Sequence, residues 1–197
     1  VAGTIGSYGA YLADGNEYRG EYDLTEKEYL DFHLPRLRLV LDEEPDLIAL
    51  ETQPKVMEPV AVLNWLKEND PEIPVYVSFT LKDAQHISDG TPIEEAVSKV
   101  NQYDQVFAVG INCVSPDLVD PALKEFAKYT DKPLVVYPNL GATYDPKIKR
   151  WHAFKETFDF SKLTKEWSED GARLIGGCCT TGPKEIKEIR KAIDKLR

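Results

Sequence analysis

The chain has 197 residues, of which 42% are hydrophobic, and its 34 Asp and Glu residues outnumber 24 Lys and Arg, giving a formal charge of −10. This length and apolar content suit one globular domain with a substantial core. The acidic balance, with no Lys- or Arg-rich run, argues against a nucleic-acid partner. Because no apolar stretch approaches the roughly 20 residues of a membrane-spanning helix and none resembles a signal peptide, we expect no membrane partner and a cytoplasmic location.

Six short runs rich in β-branched residues recur along the chain and predict buried parallel strands. They cover residues 1–6, 46–51, 74–80, 105–113, 133–139 and 172–179. Segments with helical apolar spacing separate them, as with Val60, Leu63 and Leu66 after the second run. This alternation predicts an α/β protein in which right-handed crossovers place the helices outside a parallel sheet.

The number of strand–helix units points to a closed architecture. A (β/α)8 TIM barrel takes about 250 residues, so six units in this chain match a barrel that lacks its first two βα units. The alternative is an open doubly wound sheet, which is disfavoured because no Gly-rich phosphate loop follows any predicted strand. Since VAGTIG begins a strand directly at Val1, we expect residues 1–197 to be one barrel domain that is truncated at its N-terminus.

Polar or reactive side chains stand at the ends of the predicted strands. Long loops follow the first, third and fifth strands at about residues 7–25, 81–91 and 140–157, and all three leave the same edge of the sheet. In α/β barrels this edge carries the active site, because loop and strand-end residues converge there. The strand-end residues that we expect to converge are Glu51, Ser78, Thr80, Asn112, Cys113, Asn139, Cys178 and Cys179.

The three cysteines are too few and too oddly spaced for a disulfide framework. Cys178 and Cys179 are adjacent, and Cα atoms about 3.8 Å apart are too close for an unstrained disulfide. The strand order places Cys113 one strand away from this pair. Both adjacent thiols can reach one metal only where the strand has ended, and Gly176-Gly177 supplies that freedom. Three thiolates with an open fourth position are typical of a catalytic zinc site, although buried structural cysteines are the alternative.

Strings throughout the chain resemble the homocysteine S-methyltransferases that use S-methylmethionine or S-adenosylmethionine. The pair GINC and GGCC is the most specific signal, although LGATYDP departs from the Ser-Gly-Glu more usual after the YPN strand. The resemblance implies a (β/α)8 barrel, a zinc ion bound by Cys113, Cys178 and Cys179, and methyl transfer from a sulfonium donor to homocysteine, giving methionine. The implied partners are these two small molecules, and we expect a monomer. The matching strings are VAGTIGSYGAYLADGNEYRGEY, ETQP, SFTLKDAQHISDGTP, GINCVSP, YPNLGATYDP and GARLIGGCCTTGP.

The resemblance also suggests roles for the other strand-end side chains. The family's matching Glu holds homocysteine's ammonium group, so Glu51 is the candidate for that charge-assisted hydrogen bond; pairing with a Lys or capping a turn is the alternative. Asn112 and Asn139 donate to the substrate carboxylate, orient the metal ligands, or only form turns. Ser78 and Thr80 are candidates for the pocket floor, although so apolar a strand is also typical of core.

Aromatic and histidine residues in the loops and helices have weaker cases. Tyr8, Tyr11 and Tyr18 form either an aromatic wall for a sulfonium or ordinary loop packing. The histidines lack metal-ligand spacing with the cysteines. The residues that we expect to be exposed to solvent for this reason are His33, His86 and His152.

Three other functions are compatible with some of these features. A selenohomocysteine or selenocysteine methyltransferase would use the same zinc site, because zinc activates a selenol as it does a thiol. A non-catalytic zinc-binding barrel fragment would keep the cysteines without turnover. A dithiol redox protein is disfavoured because the sequence has no C-x-x-C motif.

Overall fold

The computed structural model describes residues 1–152 and 157–196. Over these residues the strands are β1 Ala2–Gly6, β2 Leu47–Gln53, β3 Val75–Phe79, β4 Leu81–Asp83, β5 His86–Ile87, β6 Val106–Asn112, β7 Leu134–Tyr137, β8 Thr143–Asp145, β9 Arg150–His152 and β10 Ala172–Ile175. Six of them form one parallel sheet in the order β1-β2-β3-β6-β7-β10. The other four form two antiparallel hairpins, β4-β5 and β8-β9. The predicted α/β class and the six predicted parallel strands are therefore confirmed.

Helices connect successive strands of the sheet. They are α1 Tyr8–Leu12, α2 Glu26–Asp42, α3 Met57–Asn69, α4 Ile93–Asn101, α5 Pro116–Phe126, α6 Phe160–Glu169 and α7 Pro183–Leu196, with a 3-10 turn at Asn16–Tyr18. Each helix from α2 onwards contacts the next one along the chain. None of the helices in the described part of the chain is long and apolar enough to cross a membrane.

The order of strands in the sheet follows the chain without a reversal. In a doubly wound sheet, successive strands are added first towards one edge and then, from a switch point, towards the other edge, so that helices cover both faces. The described strands have no such point, and neighbouring helices pack against one another along the sheet. The doubly wound alternative is therefore wrong for this part of the chain.

The centre of the sheet is buried on both faces. Aliphatic side chains of β2, β3 and β6, such as Leu50, Val77 and Val109, are inaccessible to solvent. Such strands are near-continuous apolar runs, which is why they stand out in the sequence. Gly110 pairs with Val135, and a Cβ at this glycine would lie 2.0 Å from the Val135 carbonyl oxygen. Strands β6 and β7 approach this closely only because position 110 has no side chain.

The strand ends differ from the predicted ones in a way that matters for the site. Strand β10 ends at Ile175, so Gly176 to Cys179 lie beyond the strand. Strand β7 ends at Tyr137 and β6 at Asn112, each earlier than the apolar run suggests. The three predicted long loops contain α1 with the 3-10 turn, the β4-β5 hairpin and the β8-β9 hairpin. Residues 153–156 of the last loop lie outside the described residues.

A candidate metal centre

The three cysteines meet at the carboxyl edge of the sheet. Cys113 follows β6, Cys178 and Cys179 follow β10, and β7 lies between these strands. The Sγ of Cys113 lies 2.8 Å from that of Cys178 and 3.4 Å from that of Cys179. All three thiols are free, and their sulfurs lie within 4.8 Å of one another. The predicted convergence across one intervening strand is confirmed.

The backbone at these positions explains how adjacent thiols face one centre. Beyond the end of β10, the chain no longer alternates its side chains between two faces. The Cys178 N–H donates to the Pro138 carbonyl at 2.9 Å and so fixes this turn against the end of β7. A Cβ at Gly177 would lie 2.3 Å from the Thr181 hydroxyl oxygen, so the turn needs a glycine there. Cys113 itself has a φ of 55°, a left-handed conformation that non-glycine residues rarely adopt.

The close approach of the three sulfurs shifts the pKa values of the cysteines in opposite directions. Hydrogen bonds from the Cys113 and Cys179 thiols lower the pKa of Cys178 to about 3. The hydrogen bond to Cys178 raises the pKa of Cys113, as do the bond to Cys179 and burial. These opposite shifts favour the thiolate form at Cys178 and the thiol form at Cys113. Three sulfur donors this close together form a ligand set suited to zinc or another thiophilic cation.

A hydrogen-bonded group, here called the strand-end network, lies beside the cysteines and consists of Glu51, Ser78, Asn112 and Tyr137. The Tyr137 hydroxyl donates to Glu51 Oε2 at 3.0 Å and lies 2.6 Å from the Ser78 oxygen. Ser78 donates to Asn112 Oδ1 at 2.7 Å. Burial raises the pKa of Glu51, the Tyr137 hydrogen bond opposes this, and the nearby Cys178 charge adds to it. The network links β2, β3, β6 and β7 into one rigid support.

Asn112 holds the end of β2 by hydrogen bonds that involve both the oxygen and the nitrogen of its side-chain amide. Its Oδ1 accepts from the Thr52 N–H at 2.8 Å, and its Nδ2 donates to the Thr52 hydroxyl at 2.8 Å. Thr52 has a φ of 57°, which is rare for a β-branched residue. The Asn112 Nδ2 also points to the Cys178 sulfur at 3.8 Å. These protein partners favour a positioning role for Asn112 over direct contact with a substrate.

Asn139 and Thr80 are likewise occupied by protein partners. Asn139 Nδ2 donates to the Cys113 carbonyl at 3.2 Å, which holds the left-handed turn at that cysteine. The Thr80 hydroxyl donates to the Glu17 carbonyl at 2.6 Å and accepts from Ser88 at 2.8 Å. Asn139 also lines the pocket next to Cys113, whereas Thr80 ties the loop after β1 to the end of β3.

A pocket of about 280 Å3 opens beside Cys113. Three of its lining residues, Tyr18, Tyr144 and Trp151, form what we call the aromatic wall. The ring centres of Tyr144 and Trp151 lie 5.1 Å apart, and those of Tyr18 and Trp151 lie 6.5 Å apart at nearly a right angle. The Tyr18 hydroxyl donates to the Cys113 sulfur at 3.6 Å, and burial raises the pKa of this tyrosine. The wall therefore joins two loops over the sulfur cluster.

The sequence also matches a known protein family. A family model described as homocysteine S-methyltransferase matches residues 1–193. The chain belongs to the homocysteine S-methyltransferase family. The resemblance that the sequence motifs suggest is thereby confirmed.

Individual family members match over most of this chain. Homocysteine S-methyltransferase YbgG of Bacillus subtilis is 44% identical over 189 residues, which are 96% of this chain and 60% of that protein. The Escherichia coli homocysteine S-methyltransferase is 44% identical over 191 residues, 96% and 61% of the two chains. The metallated crystal form of the E. coli homocysteine methyltransferase MmuM gives a TM-score of 0.85 at 40% identity, covering 97% of this chain and 60% of that one. The chain thus spans about 60% of the length of these relatives.

The three tyrosines that the sequence analysis named, Tyr8, Tyr11 and Tyr18, have different surroundings in this homocysteine S-methyltransferase family member. Tyr18 reaches the sulfur cluster, whereas the rings of Tyr8 and Tyr11 pack on Phe32, at 5.0 and 5.1 Å between centres. Loop packing is therefore the role that the structure gives to these two. The other members of the aromatic wall come from the β8-β9 hairpin, which the apolar pattern does not reveal as part of the site.

The histidines also differ from one another. His33 is only 1% exposed, so the expectation that it faces solvent is wrong, because it pairs with a buried carboxylate of α3. The side chains of His86 and His152 are 38% and 60% exposed and lie beside Asp83 and Asp145. The expectation of exposure holds for His152, whereas His86 is half-buried.

Tyr137 is the functional candidate that the sequence analysis missed. It ends the otherwise aliphatic strand LVVY and carries the link between Glu51 and Ser78. Its pKa is raised by burial and by the neighbouring Glu51. A single hydroxyl at the end of an aliphatic strand, next to predicted site residues, is the signal that would have revealed it.

Proposed function

We propose that the protein transfers a methyl group from S-methylmethionine or S-adenosylmethionine to homocysteine, giving methionine, at a zinc site formed by Cys113, Cys178 and Cys179. The observation that carries this proposal is the meeting of three cysteine sulfurs within 4.8 Å of one another, with Cys113 also lining the adjacent pocket. A zinc ion held there would keep a fourth sulfur ligand deprotonated at neutral pH.

Homocysteine's amino-acid group is assigned to the strand-end network. Glu51 is the carboxylate that would receive the ammonium group, and Tyr137 holds its Oε2 at 3.0 Å so that the side chain is fixed before substrate arrives. Asn112 and Asn139 would position the cysteines and their turns. Ser78 extends the network under Glu51, and Thr80 fixes the loop that carries Tyr18.

The sulfonium donor is assigned to the pocket beside Cys113. The faces of Tyr18, Tyr144 and Trp151 offer cation–π contacts to a methylated sulfur cation. A thiolate at Cys178, which its lowered pKa favours, would also attract a cation. The homocysteine thiolate would then approach the donor methyl group from the side of the pocket that Cys113 lines.

The reaction itself needs little acid–base help. A new bond forms between the homocysteine sulfur and the methyl carbon while the donor's sulfur–methyl bond breaks and leaves its electron pair on the donor sulfur. The leaving group is a neutral thioether, so no protein acid has to protonate it. The protein's contributions are therefore orientation, exclusion of water and a fixed electrostatic environment.

The sheet supports a proposal about architecture as well. We infer that residues 1–197 belong to one (β/α)8 barrel domain, in which two further βα units would lie between β10 and β1. The reversal-free strand order and the successive helix contacts favour such a closed sheet. We also propose a cytoplasmic monomer whose partners are its two small-molecule substrates.

A selenol acceptor remains a second candidate, because the sulfur cluster would activate selenohomocysteine or selenocysteine in the same way. A zinc-binding barrel fragment without turnover is the third. A methylated selenol as product distinguishes the second candidate from the main proposal, and the absence of any methylated product distinguishes the third.

The test is to incubate the zinc-loaded protein with homocysteine and each sulfonium donor and to measure methionine. We expect one methionine for each S-adenosylmethionine consumed and two for each S-methylmethionine consumed, because S-methylmethionine becomes methionine when it loses its methyl group. No product should form when homocysteine is omitted. Selenohomocysteine and selenocysteine serve as comparison acceptors. Bound zinc without methionine from either donor would contradict the proposed activity and leave the non-catalytic alternative.

A further inference from the structure

A second buried charge cluster lies apart from the cysteines, at the first turn of α3. The Glu58 side chain is completely inaccessible to solvent, and His33 of α2 is 1% exposed. The His33 Nε2 lies 2.8 Å from Glu58 Oε1. The same carboxylate accepts hydrogen bonds from the Tyr8 backbone N–H and, at 2.6 Å to Oε2, from the Tyr22 hydroxyl. None of these contacts involves a proposed metal or substrate ligand.

The partners of Glu58 bracket the loop that follows β1. Tyr8 and Tyr22 stand near the two ends of residues 7–25, here called the β1 loop, while His33 lies on the helix that follows it. The carboxylate thus fixes the start and the end of the loop to the buried end of α3. On the other side of His33, an Arg36 guanidinium nitrogen lies 3.4 Å from Nδ1, so the His33 ring is held from both nitrogens.

Between these two fixed points the β1 loop reaches the candidate metal centre. Its Tyr18 donates to the Cys113 sulfur at 3.6 Å, and its Glu17 carbonyl accepts from Thr80 at 2.6 Å. Gly15, Tyr18 and Arg19 of the loop line the pocket beside Cys113. The position of the loop therefore decides where one aromatic face of the pocket stands.

Stability alone is a poor reason for this arrangement. Removing a carboxylate and an imidazole from water is costly, and apolar side chains of similar volume often stabilise a fold as well or better. What a carboxylate adds is direction, because its two oxygens accept only from donors at defined angles. Here those donors are one backbone amide and one hydroxyl of the same loop, together with the His33 ring.

We propose that Glu58, supported by His33, is a positioning residue that anchors the β1 loop so that Tyr18 stays against the Cys113 sulfur and closes one side of the donor pocket. Its effect on methyl transfer rests on the proposed function, whereas the anchoring itself does not. A Gln at position 58 keeps the shape but replaces one acceptor oxygen with an NH2 group. That group either forces the Tyr22 hydroxyl to accept instead of donate or faces the Tyr8 N–H, which can only donate.

The experiment compares Glu58→Gln with Glu68→Gln in the full zinc-loaded protein. Glu68 lies on the same helix, is exposed and has no hydrogen-bond or ion-pair partner among the described residues. Amide hydrogen exchange is measured by residue. We expect exchange in residues 8–22 to rise by about tenfold or more in Glu58→Gln only, with the amides of β3 and β6 unchanged. A rise of equal size throughout β3 and β6 would mean a general loss of stability and would overturn the proposal.

Two further variants keep the result decisive if Glu58→Gln folds poorly. Tyr22→Phe removes one of the three links to the carboxylate and is expected to loosen residues 16–22 by a smaller factor. Tyr18→Phe removes only the contact with Cys113, so it should leave loop exchange unchanged. Unchanged exchange in residues 8–22 of both Glu58→Gln and Tyr22→Phe would also overturn the anchor.

Kinetics separate the anchor from the proposed function. We expect Glu58→Gln to raise the KM for the sulfonium donor about three- to tenfold, with the homocysteine KM unchanged, because the loop forms only the donor side of the pocket. A changed homocysteine KM with an unchanged donor KM would contradict this assignment. If the unaltered protein forms no methionine, the proposed function fails, while the exchange measurement still tests the anchor.

Discussion

The strand-end network and the aromatic wall both adjoin the cysteine cluster, the network at Cys178 and the wall at Cys113, but they are built in different ways. Glu51, Ser78, Asn112 and Tyr137 stand on or at the end of four neighbouring strands and bond to one another. The aromatic wall comes from two loops, and its rings are only half-buried. Side chains on strands are held more precisely than side chains on loops. We therefore expect changes to the cysteines and the network to cost more than changes to the wall.

The largest effect is expected at the cysteines themselves. Cys113→Ser replaces a sulfur ligand with a poorly coordinating hydroxyl, so bound zinc should fall and methyl transfer should become undetectable. The fold should remain, because a catalytic metal contributes less to folding than a closed structural site. Metal analysis and circular dichroism check this together. Full zinc occupancy with retained activity in this variant would remove Cys113 from the site.

A smaller but still large effect is expected in the network. Glu51→Gln should raise the homocysteine KM roughly 10- to 100-fold with zinc retained, since losing a charged hydrogen bond costs about 1.5–3 kcal/mol. The exposed Glu72→Gln serves as control. A homocysteine KM within error of the unaltered protein, measured at saturating donor, would reassign Glu51 to a structural role.

The sequence predicts the positions of the strand-end network residues better than those of the aromatic wall, for a physical reason. Buried parallel strands are long apolar runs, and the polar residue that ends each run must lie at the carboxyl edge. Glu51, Asn112 and Cys113 could therefore be placed without any structure. The positions of Tyr144 and Trp151 depend on how a hairpin folds back over the sheet, which no periodicity reports.

Other failures have the same origin in tertiary contacts. His33 was expected at the surface because it lacks metal-ligand spacing with the cysteines, yet it is buried and pairs with Glu58 of another helix. The hydrogen bonds of Tyr137 likewise involve neighbours that are 59 and 86 residues away in the chain. The strand pattern predicts which strand ends meet at the edge of the sheet, but it does not predict which of their side chains form hydrogen bonds with one another.

The wall should respond more weakly to substitution than the network. Trp151→Leu removes one aromatic face, and a cation–π contact at a partly exposed site contributes about 0.5–1 kcal/mol, so the donor KM should rise roughly two- to fivefold. The homocysteine KM should not change. Trp65→Leu, on the outer helix α3, controls for loss of an indole. If the homocysteine KM rises as much as the donor KM, the two substrates do not bind on separate sides of the cysteine cluster, which would contradict this assignment.

The smallest effect concerns stability and pH. Because burial raises the pKa of Glu51 above its unfolded value of about 4.3, the folded state is favoured below that pH and loses stability as pH rises through the folded pKa. Glu51→Gln stays neutral, so it should be more stable than the unaltered metal-free protein at pH 7 but not at pH 4. Urea unfolding at both pH values measures the difference. An equal difference at the two pH values would contradict the assigned shift.

The most direct test of the central claim is X-ray absorption at the zinc edge, before and after homocysteine is added. If Cys113, Cys178 and Cys179 hold the ion and the substrate thiol takes the open position, the zinc should have three sulfur neighbours at first and four afterwards. The distance of each should be about 2.3 Å. A sulfur count that does not change when homocysteine binds would contradict the account.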